Sequence, residues 1–119
     1  MAEGRSGPEA GDRHYALLYG ILSNLPERTR IRNLDKQLLG LNEPLIFLNF
    51  RLSRTKNYSP VLNDALLVMV HGGDLSWTCP SFDYRVESGV KIMAKRYEGY
   101  ITDEEKARLR DIAERLEIT

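Results

Sequence analysis

The sequence predicts a mainly α-helical domain with one late β-hairpin. Three observations carry this expectation. Apolar residues follow helical spacing towards both ends of the chain, at Tyr15, Leu18, Ile21, Leu22 and Leu25 and again at Leu109, Ile112, Ala113 and Leu116. Helix-capping and helix-stopping residues punctuate the stretch from Asn33 to Gly73. Apolar–polar alternation of period two marks residues 75–78 and 82–86. The 119 residues suit one domain, and 42% hydrophobic content excludes a disordered polyelectrolyte.

The first helix takes Asp12 as its N-cap and stops at Pro26. Residues 1–11 carry Gly4, Gly7, Pro8 and Gly11 among small and charged side chains and read as a flexible tail. Residues 12–119 are then the domain. Residues 27–32 form a polar connector in which Ile31 docks a short extended segment. Asn33 caps a short helix through Leu39, closed by Gly40 in the left-handed conformation that helix ends often need. Asn42 caps a third helix, with Glu43 and Pro44 in its first turn, running to about Ser53. Lys56 and Asn57 make a turn. Ser59 and Pro60 open a fourth helix from Val61 to about His71, stopped by Gly72 and Gly73.

The hairpin joins its two runs through Cys79, Pro80 and Ser81 and sets one face on a core. A fifth helix places Val90, Met93 and Tyr97 on one side and breaks at Gly99. Thr102 to Glu105 is a capping box, in which hydroxyl and carboxylate satisfy free amides reciprocally. The last helix adds Glu104–Arg108 and Asp111–Arg115 pairs at i, i+4.

Charge is informative only when divided along the chain. The 17 basic and 17 acidic residues cancel, which excludes a protein that coats nucleic acid by bulk charge. Residues 27–56 nevertheless carry net +4 and residues 57–90 net −3. The basic block is Arg28, Arg30, Arg32, Lys36, Arg51, Arg54 and Lys56, a candidate phosphate-contacting surface. Arg85 is the only basic residue of the hairpin, among Asp74, Asp83 and Glu87, so the hairpin is expected to turn away from DNA.

The order of elements fits a winged helix. Within it, residues 31–46 resemble a helix-turn-helix, with Gly40 in the turn, Leu39 and Leu41 beside it and Ile46 facing inward. Lys36 stands where such motifs prefer a small residue, and Asn49 where they prefer an apolar one. This resemblance implies DNA binding, and Asn49, Arg51 and Arg54 are the side chains suited to base edges.

A second resemblance spans roughly residues 15–97. Tyr58-Ser59-Pro60-Val61-Leu62, Leu66, Gly73, Leu75, Tyr84-Arg85-Val86 and Gly89 look like the second half of the Panacea-type antitoxin domain and the related YwgA-like group of small prokaryotic proteins. This resemblance implies a helical, winged-helix-like fold whose members bind toxin partners or act near transcription. It implies no catalytic residues.

The helices at 45–52 and 61–70 are apolar on most sides, which predicts a dimer or partner interface. Leu45, Phe47 and Leu48, with Leu109, Ile112 and Leu116 of the last helix, are its candidates. His14 and His71 have no metal-spaced companions, and Cys79 has no positioned base, so neither a cofactor, a metal nor catalysis is expected. The longest apolar run, 65–70, is far short of a membrane span. The single cysteine fits a reducing, cytoplasmic setting.

The expected function is a small winged-helix DNA-binding protein, a homodimeric transcriptional regulator on double-stranded DNA. The alternative is a protein-interaction module, antitoxin-like or adaptor, that uses the same shape without DNA.

Overall fold

The computed structural model describes residues 10–41, 43–50, 58–78 and 83–118, apart from the side chains of Phe47 and Leu48. The tail up to residue 9, the Asn42 cap, the turn at Lys56 and Asn57, and the loop at Cys79, Pro80 and Ser81 lie outside the described residues. The protein is mainly helical with a small three-stranded antiparallel sheet. Among the described residues no helix is long and apolar enough to cross a membrane.

Helix α1 (Asp12–Leu22) is the centre of the core. Its N-cap is Gly11 rather than Asp12: the His14 and Tyr15 amides donate to the Gly11 carbonyl at 3.0 and 3.2 Å. The Gly11 amide donates in turn to His14 Nδ1 at 2.9 Å. Ala10 is already engaged, its amide donating to the Asp64 carboxylate at 3.3 Å. Ala16, Leu17, Leu18, Tyr19, Ile21 and Leu22 are all buried, a wider face than the single stripe the spacing predicts. The reason is that α4, α5 and α6 all pack on this one helix.

The polar connector becomes strand β1 (Arg30–Arg32), with Ile31 fully buried between two exposed arginines. Helix α2 (Leu34–Gly40) follows Asn33, which sits in the left-handed region at φ 52° and makes no side-chain cap. Asn tolerates that conformation better than most residues. Gly40 is the last helical residue rather than a left-handed stop, and the chain leaves through Leu41 at φ −71°.

Helix α3 (Pro44–Asn49) is shorter than expected. Its cap is Glu43, whose Oε1 accepts the Leu45 amide at 3.3 Å. Phe50 is extended (φ −112°, ψ 106°), which ends the helix and sets its ring fully inside the core. Glu43 is itself buried and faces Arg108 and Arg115 at 3.7 and 3.6 Å, tying α3 to the last helix.

Helix α4 (Pro60–His71) starts as predicted, with Ser59 Oγ accepting the Leu62 amide at 3.2 Å. Gly73 takes φ 85° in the turn that follows. Strands β2 (Leu75–Thr78) and β3 (Asp83–Val86) pair antiparallel, with Trp77 opposite Tyr84. The sheet order is β1-β3-β2, so the connector is the third strand of the hairpin. Ile31, Leu75 and Val86 turn one face to the core.

Helix α5 (Gly89–Tyr97), a 3-10 turn (Glu98–Tyr100) and helix α6 (Asp103–Arg115) complete the chain. The capping box forms: Thr102 Oγ1 accepts the Glu105 amide at 3.1 Å, and the Thr102 amide donates to Glu105 at 3.0 Å. Asp111 and Arg115 pair at 3.4 Å as expected, whereas Arg108 reaches Glu43. Ile118 then returns to bridge Ile31 at the free edge of β1.

Four of the expected interface residues are core residues of this chain. Leu45, Leu109, Ile112 and Leu116 are at most 6% exposed, because α3 and α6 spend their apolar sides on α1 and its neighbours. They offer little surface to a second molecule.

Candidate functional site

The sheet brings one set of the predicted cations together. In β1, Arg30 and Arg32 point away from the buried Ile31. The register sets Arg30 opposite Arg85, and Arg32 opposite Asp83. Arg28 stands just before the strand, exposed and in the left-handed region at φ 74°. That bend is fixed by two bonds: the Arg28 amide donates to the Val86 carbonyl at 2.7 Å, and the Val86 amide to the Thr29 carbonyl at 2.9 Å. A non-glycine residue in this region carries local strain.

The hairpin lies directly beside the basic connector. It contributes Arg85 to the same face, and its acids partly neutralise that face. Arg32 meets Asp83 at 3.4 Å, and Arg85 meets Glu87 at 2.8 Å. Glu87 also accepts from the Ser76 hydroxyl. The Ser76 and Arg85 hydrogen bonds hold its carboxyl below the usual range, with Arg28 adding to the pull. Among the described residues Arg28 and Arg30 make no ion pair.

The remaining predicted DNA contacts scatter. Lys36 and Arg32 line a groove of about 520 Å³ beside Gln37 and Glu117. Gln37 closes one side, accepting from the Glu117 amide at 2.6 Å and donating to the Arg32 and Glu117 carbonyls at 2.7 and 3.0 Å. Asn49 is not available to a base. Its Nδ2 donates to the Leu45 carbonyl at 2.9 Å, and its Oδ1 accepts from Arg13 Nε at 3.4 Å. His14 binds the Asn49 carbonyl as well. Arg51, Arg54 and Lys56 lie outside the described residues, as do the side chains of Phe47 and Leu48.

Two features were not read from the sequence. The first is Arg13, which makes a two-pronged contact with Glu105 at 2.7 and 2.5 Å and also donates to the Tyr100 carbonyl at 2.8 Å. Arg13 first, and then the Thr102 amide, hold the Glu105 carboxyl at about 2. The second is a cluster of Tyr15, Tyr19, Tyr97 and Tyr100 between α1 and the end of α5. Tyr19 donates to Asp74 at 2.6 Å, and burial followed by that bond raises its phenol strongly. Helical spacing marks Tyr15 and Tyr97 as apolar, but the meeting of two distant segments has no local signal.

The last helix before the hairpin has a different character. Helix α4 contains no Lys or Arg. It buries Val61, Leu62, Ala65, Leu66 and Met69, and turns Asn63, Leu67, Val68 and His71 to solvent. Leu67 and Val68 are 46% and 49% exposed. On the hairpin, Trp77 stacks on Tyr84 with ring centres 6.3 Å apart and is also about half exposed.

Among the described residues no group of three or more His, Cys, Asp or Glu side chains could hold a metal ion. Comparison with protein-family models, with curated proteins and with solved structures finds no match for this chain.

Proposed function

We propose that this chain is a non-catalytic protein-interaction module built in winged-helix order, and that its outer α4 face binds a second copy of the chain. The element order supports the winged-helix reading: a helix, a strand, helices, then a hairpin whose second strand pairs with the first strand. In that order the helix directly before the hairpin is the one placed to read a groove. The observation that carries the proposal is the surface of that helix. Its exposed residues are Asn63, Leu67, Val68 and His71: no Lys or Arg is there to hold a phosphate, and Asn63 alone is of a type suited to a base edge. An uncharged helix face can meet its own copy about a two-fold axis without like-charge repulsion, and two-fold dimers are the commonest oligomers. An antitoxin-like or adaptor role is the natural use of such a module.

Light scattering with a gel shift at low salt tests this reading. The expected outcome is a dimer without duplex affinity, converted to monomer by Leu67→Glu with Val68→Glu. A wild-type monomer at about 100 μM, where even micromolar association would be visible, overturns it.

A second reading has its own observation. Arg30, Arg32 and Arg85 share one side of the sheet, with Arg28 just before the strand, and Arg28 and Arg30 have no ion-pair partner among the described residues. Such a face suits the phosphates of double-stranded DNA and a transcription regulator that grips the backbone without reading sequence. Duplex binding that fails in Arg30→Glu with Arg32→Glu favours it over the first reading.

A further inference from the structure

The segment 91–119 is neutral in sum, yet four of its seven cations line one cleft. Helices α5 and α6 both pack on α1 and leave a space between them over its C-terminal end. The cleft holds about 280 Å³. One wall carries Lys91 and Lys95 from α5, and the other Lys106 and Arg110 from α6. Each pair is spaced i, i+4, which sets both cations on the same side of their helix. Gly20 forms the floor, where a Cβ would stand 2.5 Å from Leu109 Cδ1.

Two acids of this segment are directed away from the cleft. Glu105 is held by Arg13, and Asp111 by Arg115. Glu98 is the one carboxylate of the cleft wall, and it and Asp103 reach Lys106 only at 3.9 Å. Lys91, Lys95 and Arg110 make no ion pair among the described residues. Four cations, with Glu98 on the wall and Asp103 beside Lys106, leave the cleft net positive, which attracts a multivalent anion.

We propose that this cleft is a binding site for a compact polyphosphate, of the class of inorganic pyrophosphate and nucleoside triphosphates. The volume lies near the lower end of small-molecule sites, about 300–1,000 Å³, so the ligand must be small. Charge on both walls requires several negative charges within that space, which adjacent phosphates deliver. The phosphates bridge the α5 lysines to Lys106 and Arg110, and the apolar floor at Ala94 and Leu109 accepts an uncharged remainder. The inference rests on residues separate from α4 and from the sheet face.

Calorimetric titration of the full chain with pyrophosphate and with ATP tests it. The expected result is saturable one-to-one binding that weakens with salt. It should fall about tenfold or more in Lys91→Glu with Arg110→Glu, since each lost phosphate contact is charge-assisted. Arg30→Glu with Arg32→Glu should leave it unchanged. All four side chains are exposed, and thermal melts report whether the variants stay folded. If the first pair melts early, Lys91→Gln with Lys95→Gln replaces it and should still weaken binding. No saturation by either ligand at millimolar concentration overturns the proposal. So does binding lost with the β1 arginines instead of the cleft cations, or binding of a single-stranded oligonucleotide but of neither small phosphate.

Discussion

The arginine face of the sheet and the lysine-lined cleft between α5 and α6 arrive at positive charge by opposite routes. The sheet face draws on the most basic stretch of the chain, net +4 over residues 27–56. Folding then brings the acidic hairpin beside it, and Asp83 and Glu87 each take one arginine. The cleft draws on a stretch of net zero, and folding directs two of its acids elsewhere while Glu98 stays on the wall. Glu105 and Asp111 go to arginines outside the cleft, leaving three of its four cations unpaired among the described residues. Charge summed along the chain and charge gathered in space are therefore different quantities. Only the second decides where an anion is attracted.

The comparison depends first on the approach of α1 and α6. Gly20→Val should cost about 1–3 kcal/mol by overpacking against Leu109 and should distort the cleft while leaving the sheet face intact. Thermal denaturation with parallel pyrophosphate and duplex titrations checks this. A stable variant with an unchanged cleft affinity would break the comparison at its base.

The next effect concerns the acid that Arg13 removes from the α6 surface. Arg13→Ala should destabilise the chain by about 1–2 kcal/mol at neutral pH, the scale of a partly exposed charge-assisted contact. The sign of its pH dependence follows from Glu105, whose carboxyl is held at about 2. That is below the ordinary value of about 4.3, so the stabilisation is fully present above it and is lost as pH falls towards 2. Melts of both proteins from pH 7 down to pH 2 should converge.

A smaller effect concerns the bend that presents the sheet arginines. Arg28→Gly removes the left-handed strain at φ 74° and should raise stability by roughly 0.5 kcal/mol after glycine's own entropic cost. If the sheet face binds duplex, the same substitution weakens binding while strengthening the fold. The pair Arg30→Glu with Arg32→Glu sharpens this further. Losing two phosphate contacts flattens the slope of log affinity against log salt by about 2, measured by duplex titration at several salt concentrations.

Much of the local structure was legible. The Ser59 and Thr102 caps, the two hairpin strands and the stop at Gly72 and Gly73 depend on neighbours within a few residues, and the fold keeps them, although Trp77 is about half exposed and Asp83 is buried against the alternation. The shortfalls have specific causes. Glu43, read as a first-turn residue, caps α3, and Arg108 and Arg115, far along the chain, lie against its carboxylate. Asn49 reads as a base contact by residue type, but Arg13 and its own helix occupy its amide. Leu109, Ile112 and Leu116 read correctly as a stripe, while the partner of that stripe proved to be α1 of the same chain.

The sequence by itself determined the number and kind of most elements, because periodicity, caps and turn residues act over one or two helical turns. The tertiary structure decided the rest. It made the basic connector a strand, chose α1 as the central helix, and left Leu67 and Val68 of α4 uncovered. It also turned a neutral segment into a cationic cleft. Each of these outcomes rests on contacts between residues tens of positions apart, and such contacts leave no period, spacing or local charge sum in the chain.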